Sequence, residues 1–325
     1  LHQRGSASPA IEALRIQTSP LQKIPGIAQH YRGFLPLMPW AATTWDVGDV
    51  DLVVSFSHCV AKAVRVPAGV PHICYCFTPM RYAWDGRSAY LHRWERRPIR
   101  RMMAARLLDQ LQQWDRATAS GVTQFVAISR TVRERIRRCY DRDSVVIAPP
   151  VDTEFYTPDP TIPRDDYYLC VSALVPYKRI DQAMAACGTL GRKLVVIGKG
   201  PELERLKAQG HPWVTFLGWQ PDEVIRDHLR RCAALIFPGE EDFGIVPIEA
   251  LACGTPVIAL GRGGVAATID HQVGLLYEEP TVQSLAAAIQ RWEREARTID
   301  AGVAIRRAAQ YATPTYERRF LRLLD

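Results

Sequence analysis

The sequence predicts an α/β protein built from parallel sheets covered by helices. Three observations predict it. Short apolar runs alternate with amphipathic helical stretches along the chain. The second half holds six such runs in succession, enough for a complete doubly wound sheet. At 325 residues, with 47% hydrophobic and 23% charged content, the chain can bury a full core and is long enough for two domains.

In the front half the strand candidates are Asp51–Phe56, His72–Cys76, Gln124–Ala127 and Ser144–Ile147. One long helix is expected over Leu91–Ala117. Ser129 has the chemistry of an N-cap for a helix running to about Tyr140. Pro149-Pro150-Val151-Asp152 cannot continue a helix and reads as a linker. The second series has strands at Tyr167–Ser172, Lys193–Ile197, Val214–Leu217, Ala233–Phe237, Pro256–Leu260 and Gly274–Tyr277, with helical stretches between them. A doubly wound half normally opens with a central strand and a glycine-rich turn. Residues 1–30 contain neither, so the expectation is a first domain with a vacant central sheet position and a missing N-terminal element.

The net charge of +7 favours anionic partners. Arg93, Arg96, Arg97, Arg100, Arg101 and Arg106 cluster in a stretch that also carries Trp94, Ile99, Met102, Met103, Leu107, Leu108, Leu111 and Trp114. The plainer reading is an amphipathic helix packing its apolar stripe on its own domain, its basic face solvated. The sharper reading is a surface that also rests on an anionic membrane. No nucleic-acid motif accompanies the charge, and nucleic acid is not expected as a partner. No apolar run is long enough to cross a bilayer, and no secretory leader pattern is present. The expected location is cytoplasmic, with peripheral contact at the inner membrane face. Eight scattered cysteines without a Cys-x-x-Cys pair read as buried reduced thiols rather than a metal site.

The chemistry concentrates in Pro238-Gly239-Glu240-Glu241-Asp242-Phe243-Gly244-Ile245-Val246-Pro247-Ile248-Glu249-Ala250. An apolar strand precedes it and a helix follows the Phe-Gly turn. Free N–H groups and the dipole at such a helix start form an anion cradle suited to a diphosphate. Glu241, before the turn, could then take hydroxyls on one side of the phosphates, and Glu249, farther along the helix, hydroxyls on the other. Hydroxyls flanking a diphosphate describe a nucleotide sugar. Four other segments point the same way. Lys178, in Ser172–Asp181, sits where a helix starts and could neutralise a phosphate; the plainer reading is a surface lysine. Gly198-Lys199-Gly200-Pro201 is a second turn on the carboxyl edge of the sheet, where ligands bind in open α/β folds. Gly218-Trp219-Gln220 could pair with a base edge, or Trp219 could simply be packed. Gly261-Arg262-Gly263-Gly264 could bring backbone close to a ligand, or be a plain loop.

Together these segments resemble the retaining glycosyltransferases of family 4, of the two-domain GT-B fold. Cys76-Phe77-Thr78-Pro79-Met80-Arg81-Tyr82-Ala83-Trp84-Asp85 is similar to a signature of the O-antigen and exopolysaccharide mannosyltransferase-like branch. The resemblance covers nearly the whole chain. It implies two Rossmann-like domains facing a cleft: residues 1–152 on the acceptor side, 153–310 binding the nucleotide sugar, and 311–325 crossing back to the first.

The resemblance implies that Glu241 holds donor-sugar hydroxyls, that the N–H groups after Phe243 (at Gly244, Ile245 and Val246) hold phosphate, that Glu249 holds the ribose and that Lys178 holds the diphosphate, with Arg179 assisting. Gly198, Gly218 and Trp219 complete the donor side, and His58, Phe77 and Arg81 stand on the acceptor side. It implies a donor such as GDP-mannose, a lipid-linked glycan acceptor and no metal or other cofactor. Three departures stand out. Phe77 replaces a usual histidine and can neither take nor give a proton; His58 could substitute for it or be a strand-end residue. Ala173 replaces a frequent arginine, leaving Lys178 more of the phosphate charge. The glycine-rich loop of the front strand is missing. These departures motivate an alternative, a chain that binds nucleotide sugar without transferring it. A nicotinamide-dependent oxidoreductase shares the pattern but not the residues, for no early G-x-G-x-x-G follows a strand.

Overall fold

A computed structural model describes residues 1–92, 95–295 and 300–324. The chain divides into two compact units, Leu1–Val146 and Ile147–Asp325.

The first unit holds a parallel sheet of β1 (Val53–Ser57), β2 (His72–Cys76), β3 (Gln124–Ala127) and β4 (Ser144–Val146), in the order β1-β2-β3-β4. Strand β2 is buried at every position, as a covered parallel strand must be. Before Val53 the described residues form short helical turns, in which Leu21, Ile27 and Ala41 make a small apolar cluster. The four strands are contiguous. The vacant central position expected from the sequence is therefore not inside this sheet, of which β1 forms one edge.

The single helix expected over Leu91–Ala117 is two. One spans Arg87–His92 and the other, α1, spans Pro98–Thr118. Pro98 occupies the first turn of α1, and Arg97 before it is non-helical (φ −134°, ψ 79°). Proline tolerates that position because the first turn needs no N–H from it, and it pushes its predecessor out of the helix. Arg93 and Trp94 lie outside the described residues. Helix α1 packs Leu108 and Leu111 against Leu35, Met80 and Ala83. Ile99, Met102 and Met103 are exposed, so the apolar stripe covers its own unit only over its second half. Helix α2 (Arg130–Tyr140) starts as expected: Ser129 Oγ accepts from Val132 N–H at 3.2 Å.

A buried charge pair ties this unit together. Lys62 Nζ lies 2.9 Å from Asp115 Oδ1, and neither side chain is accessible. That approach is off line for a hydrogen bond, so the contact is an ion pair. Lys62 also donates to the Asp115 carbonyl (2.6 Å) and to Thr118 Oγ1 (2.7 Å). Trp84 Nε1 and Tyr140 OH both donate to Asp115 Oδ2 at 2.8 Å.

The second unit holds β5 (Tyr168–Val171), β6 (Leu194–Ile197), β7 (Val214–Gly218), β8 (Ala234–Phe237), β9 (Val257–Leu260) and β10 (Gly274–Tyr277). All pair in parallel, in the order β10-β9-β8-β5-β6-β7. Among the described residues, six helices of eight or more residues belong to it: α3 (Ile180–Leu190), α4 (Asp222–Arg231), α5 (Ile245–Ala252), α6 (Val282–Arg294), α7 (Ala301–Ala309) and α8 (Thr313–Leu321). One core cluster joins Met184 of α3 and Ile289 and Trp292 of α6 to Tyr168, Leu194, Ile236, Ile258 and Leu275 of the strands. Strand order reverses between β5 and β8, and that reversal positions the site.

Candidate functional site

A doubly wound sheet opens a crevice at the carboxyl ends of the two strands where its order reverses, because the loops leaving them turn to opposite faces. Here those loops are 172–179, after β5, and 238–244, after β8. Their residues meet. Lys178 Nζ forms an ion pair with Glu241 Oε1, both side chains being mostly buried. Ser172, Phe237, Pro238 and Gly239 line the crevice around that pair. The crevice is small, about 10 Å³, because the pair closes it. A larger cavity, about 310 Å³, lies in the first unit beneath the start of α1. Charge and strand order single out the smaller one as the candidate site.

Helix α5 begins at this crevice. Gly244 caps it with left-handed backbone (φ 94°, ψ 81°) and brings no capping side chain of its own, and no acid sits in its first turn. Pro247 has no N–H, which leaves Ile245 and Val246 as the outermost donors. The positive end of the helix is thus left for an anion. Phe243 is buried, its ring 5.5 Å from that of Tyr311, and fixes the loop from beneath.

Glu249 stands on the same helix, half-buried. Burial, with the charge of Asp222 adding to it, pushes its carboxyl up to about 7. Asp222 opens α4 just after the β7 loop, so Glu249 is placed toward that loop. Gly218 ends β7 and Trp219 follows it, and β7 lies three strand positions from β8. At roughly 4.8 Å per strand this is about 14 Å. A single ion cannot touch both loops, whereas an extended molecule can. Trp219 is 65% exposed, with Lys199 Nζ 5.8 Å from its ring centre. It is not a packed core residue.

Arg179 adopts left-handed backbone (φ 52°) between the turn Pro176–Lys178 and α3. Its Nη1 is buried and, among the described residues, has no hydrogen-bond partner. Gly198 is required by close packing: a Cβ there would lie 1.9 Å from the Ser172 carbonyl oxygen. It therefore buttresses the loop that carries Lys178.

Sequence reasoning left the role of Gly263 and Gly264 open, and the structure assigns it. Gly264 N–H donates to the Glu241 carbonyl at 2.8 Å, and Glu241 bridges Gly263. A Cβ on Gly263 would lie 2.2 Å from that carbonyl oxygen. The run after β9 clamps the Glu241 loop. Its signal was the crowding of glycines; what they approach is another loop of the chain.

In the first unit, His58 and Phe77 follow the paired strand ends Ser57 and Cys76 and so sit side by side on the carboxyl edge. His58 is exposed. The Phe77 ring packs edge-on against Tyr75, centroids 5.5 Å apart. Arg81 is half-buried, and its carbonyl accepts from Gly86 N–H at 2.8 Å. Two members of the Cys76–Asp85 segment serve the fold: Trp84 holds Asp115, and Asp85 pairs with Arg135 at 2.8 Å and with Arg138.

Residues 152–310 match the family described as glycosyl transferases group 1. A GDP-mannose-dependent alpha-(1-6)-phosphatidylinositol monomannoside mannosyltransferase of Mycobacterium tuberculosis is 32% identical over 172 residues, covering 44% of this chain and 45% of that one. The chain spans about half the length of such curated relatives. Among solved structures, a sucrose-phosphate synthase from Thermosynechococcus elongatus superimposes with a TM-score of 0.71 at 20% identity, covering 96% of this chain and 82% of that one. The Anabaena protein HepE, in complex with UDP, does so at 0.59 and 15% identity, covering 85% and 99%. These likenesses establish the GT-B fold.

Proposed function

We propose, on the match of residues 152–310 to the group 1 glycosyl transferases, that the protein transfers a hexose, mannose from GDP-mannose, to a lipid-linked or polysaccharide acceptor with retention of configuration. The observation that carries this reading is the meeting of Lys178 and Glu241 across the switch point, beside the uncapped start of α5. The mycobacterial relative supports mannose and guanosine.

In this reading the diphosphate lies on the N–H groups of Ile245 and Val246 and takes Lys178 from Glu241. The freed Glu241 carboxylate accepts hydrogen bonds from the sugar hydroxyls. Glu249 takes the ribose, and Trp219 lies along the base. The bond between the anomeric carbon and the phosphate oxygen breaks, its electron pair passing to the diphosphate. The acceptor oxygen attacks on the same face, and its proton goes to the departing phosphate. Stabilising the leaving diphosphate by a lysine and a helix end, without a metal, is the main contribution. His58, Phe77 and Arg81 belong to the acceptor side.

The reading is tested by a transfer and donor-hydrolysis assay across GDP- and UDP-sugars. GDP-mannose is expected to turn over fastest. No turnover with any donor, together with no nucleotide binding by calorimetry, would contradict it. A second reading, binding without transfer, is favoured by Phe77, whose ring cannot exchange a proton. Nucleotide binding without turnover, with turnover appearing on Phe77→His, would identify a transferase that has lost its activity.

A further inference from the structure

The first turns of α1 carry a surface that the donor site does not account for. Arg96, Arg97, Arg100, Arg101 and Arg106 fall within a stretch that holds no acidic residue before Asp109. All five are exposed. Between them Ile99, Met102 and Met103 are 70%, 55% and 63% exposed. At 3.6 residues per turn, Ile99 lies on the side of the helix opposite buried Leu108, with Met102 and Met103 flanking it. The same helix thus has two apolar faces. Leu108 and Leu111 cover the core, while the other three side chains point away from it. A helix that only covered a core would carry polar residues there. Beside this face lies the cavity of about 310 Å³, lined by Arg87, Ser88, Leu91, His92, Glu95 and Arg101. Its one carboxylate, Glu95, pairs with His92 at 2.9 Å.

We propose that this surface docks on an anionic lipid bilayer, with the arginines at lipid phosphates and Ile99, Met102 and Met103 in the interfacial hydrocarbon. Charge complementarity selects the anionic partner, and the apolar stripe selects the bilayer. A nucleic acid would satisfy the arginines but leave the stripe in water. A second copy of the chain would set the same arginines against one another. No residue of the donor site takes part, so this proposal and the transferase reading can fail separately.

The test is co-sedimentation of the full chain with vesicles of phosphatidylcholine, pure or mixed with phosphatidylglycerol. Binding to the mixed vesicles alone is expected. The triple variant Ile99→Ser, Met102→Ser, Met103→Ser should lower partitioning by about tenfold at unchanged charge. Arg97→Gln with Arg100→Gln should lower it by about twenty-five-fold, at about fivefold per arginine, and added salt should do the same. The altered side chains are exposed, so unchanged melting and donor hydrolysis accompany the loss. Three outcomes would each overturn the proposal: equal binding to both vesicle types; wild-type partitioning by the triple serine variant; or, in place of vesicle binding, duplex DNA binding or self-association.

Discussion

Lys178 and Glu241 satisfy each other, so in the proposed reading a diphosphate binding there exchanges one partner for another. Lys178→Ala removes the cation from the leaving group and should lower turnover by about 10²–10³-fold, with weaker GDP binding by calorimetry. Glu241→Gln should lower turnover comparably, yet bind GDP no more weakly than the wild type, since its lysine is released. Glu249 gives a pH signature. Its carboxyl titrates near 7 in the folded chain, above the ordinary value of 4.5. A raised carboxyl contributes stability that is complete below about 4.5 and is lost as pH rises through about 7. Glu249→Gln should therefore raise the melting temperature at pH 8 relative to wild type and change it little at pH 4. In the proposed reading ribose hydroxyls donate to the ionised form, so from pH 6 to pH 8 GDP affinity should rise more for the wild type than for the variant.

At the scale of elements, the strands and the strand–turn–helix around Phe243-Gly244 were legible because fully buried parallel strands read as apolar runs and the glycine turn interrupts them. What the sequence hid is contact between distant segments. Nothing local in Gly263 tells that it clamps Glu241, and nothing local in Lys62 tells that it is buried against Asp115. The break of the long helix lies at Pro98, where apolar residues continue on both sides and mask it. Two predictions belong here. Gly263→Ala places a Cβ against the Glu241 carbonyl in left-handed backbone, and should cost about 1–3 kcal/mol and lower turnover by displacing Glu241; thermal melting and kinetics check this. Lys62→Ala leaves a buried carboxylate without its cation and should destabilise the first unit by about 3–5 kcal/mol, read by urea unfolding.

For the whole molecule, two parallel-sheet units and the match of residues 152–310 to the group 1 glycosyl transferases agree with the fold and family expected from its motifs. Donor, acceptor and membrane partner depend on surfaces that short motifs do not encode, which is why they rest on experiment. The most direct measurement is a crystal structure of the protein with GDP-mannose. The account predicts the diphosphate at Ile245 and Val246, with Lys178 turned from Glu241 onto it and Glu241 facing the sugar. A nucleotide bound away from the β5–β8 switch point, with the Lys178–Glu241 pair intact, would contradict it.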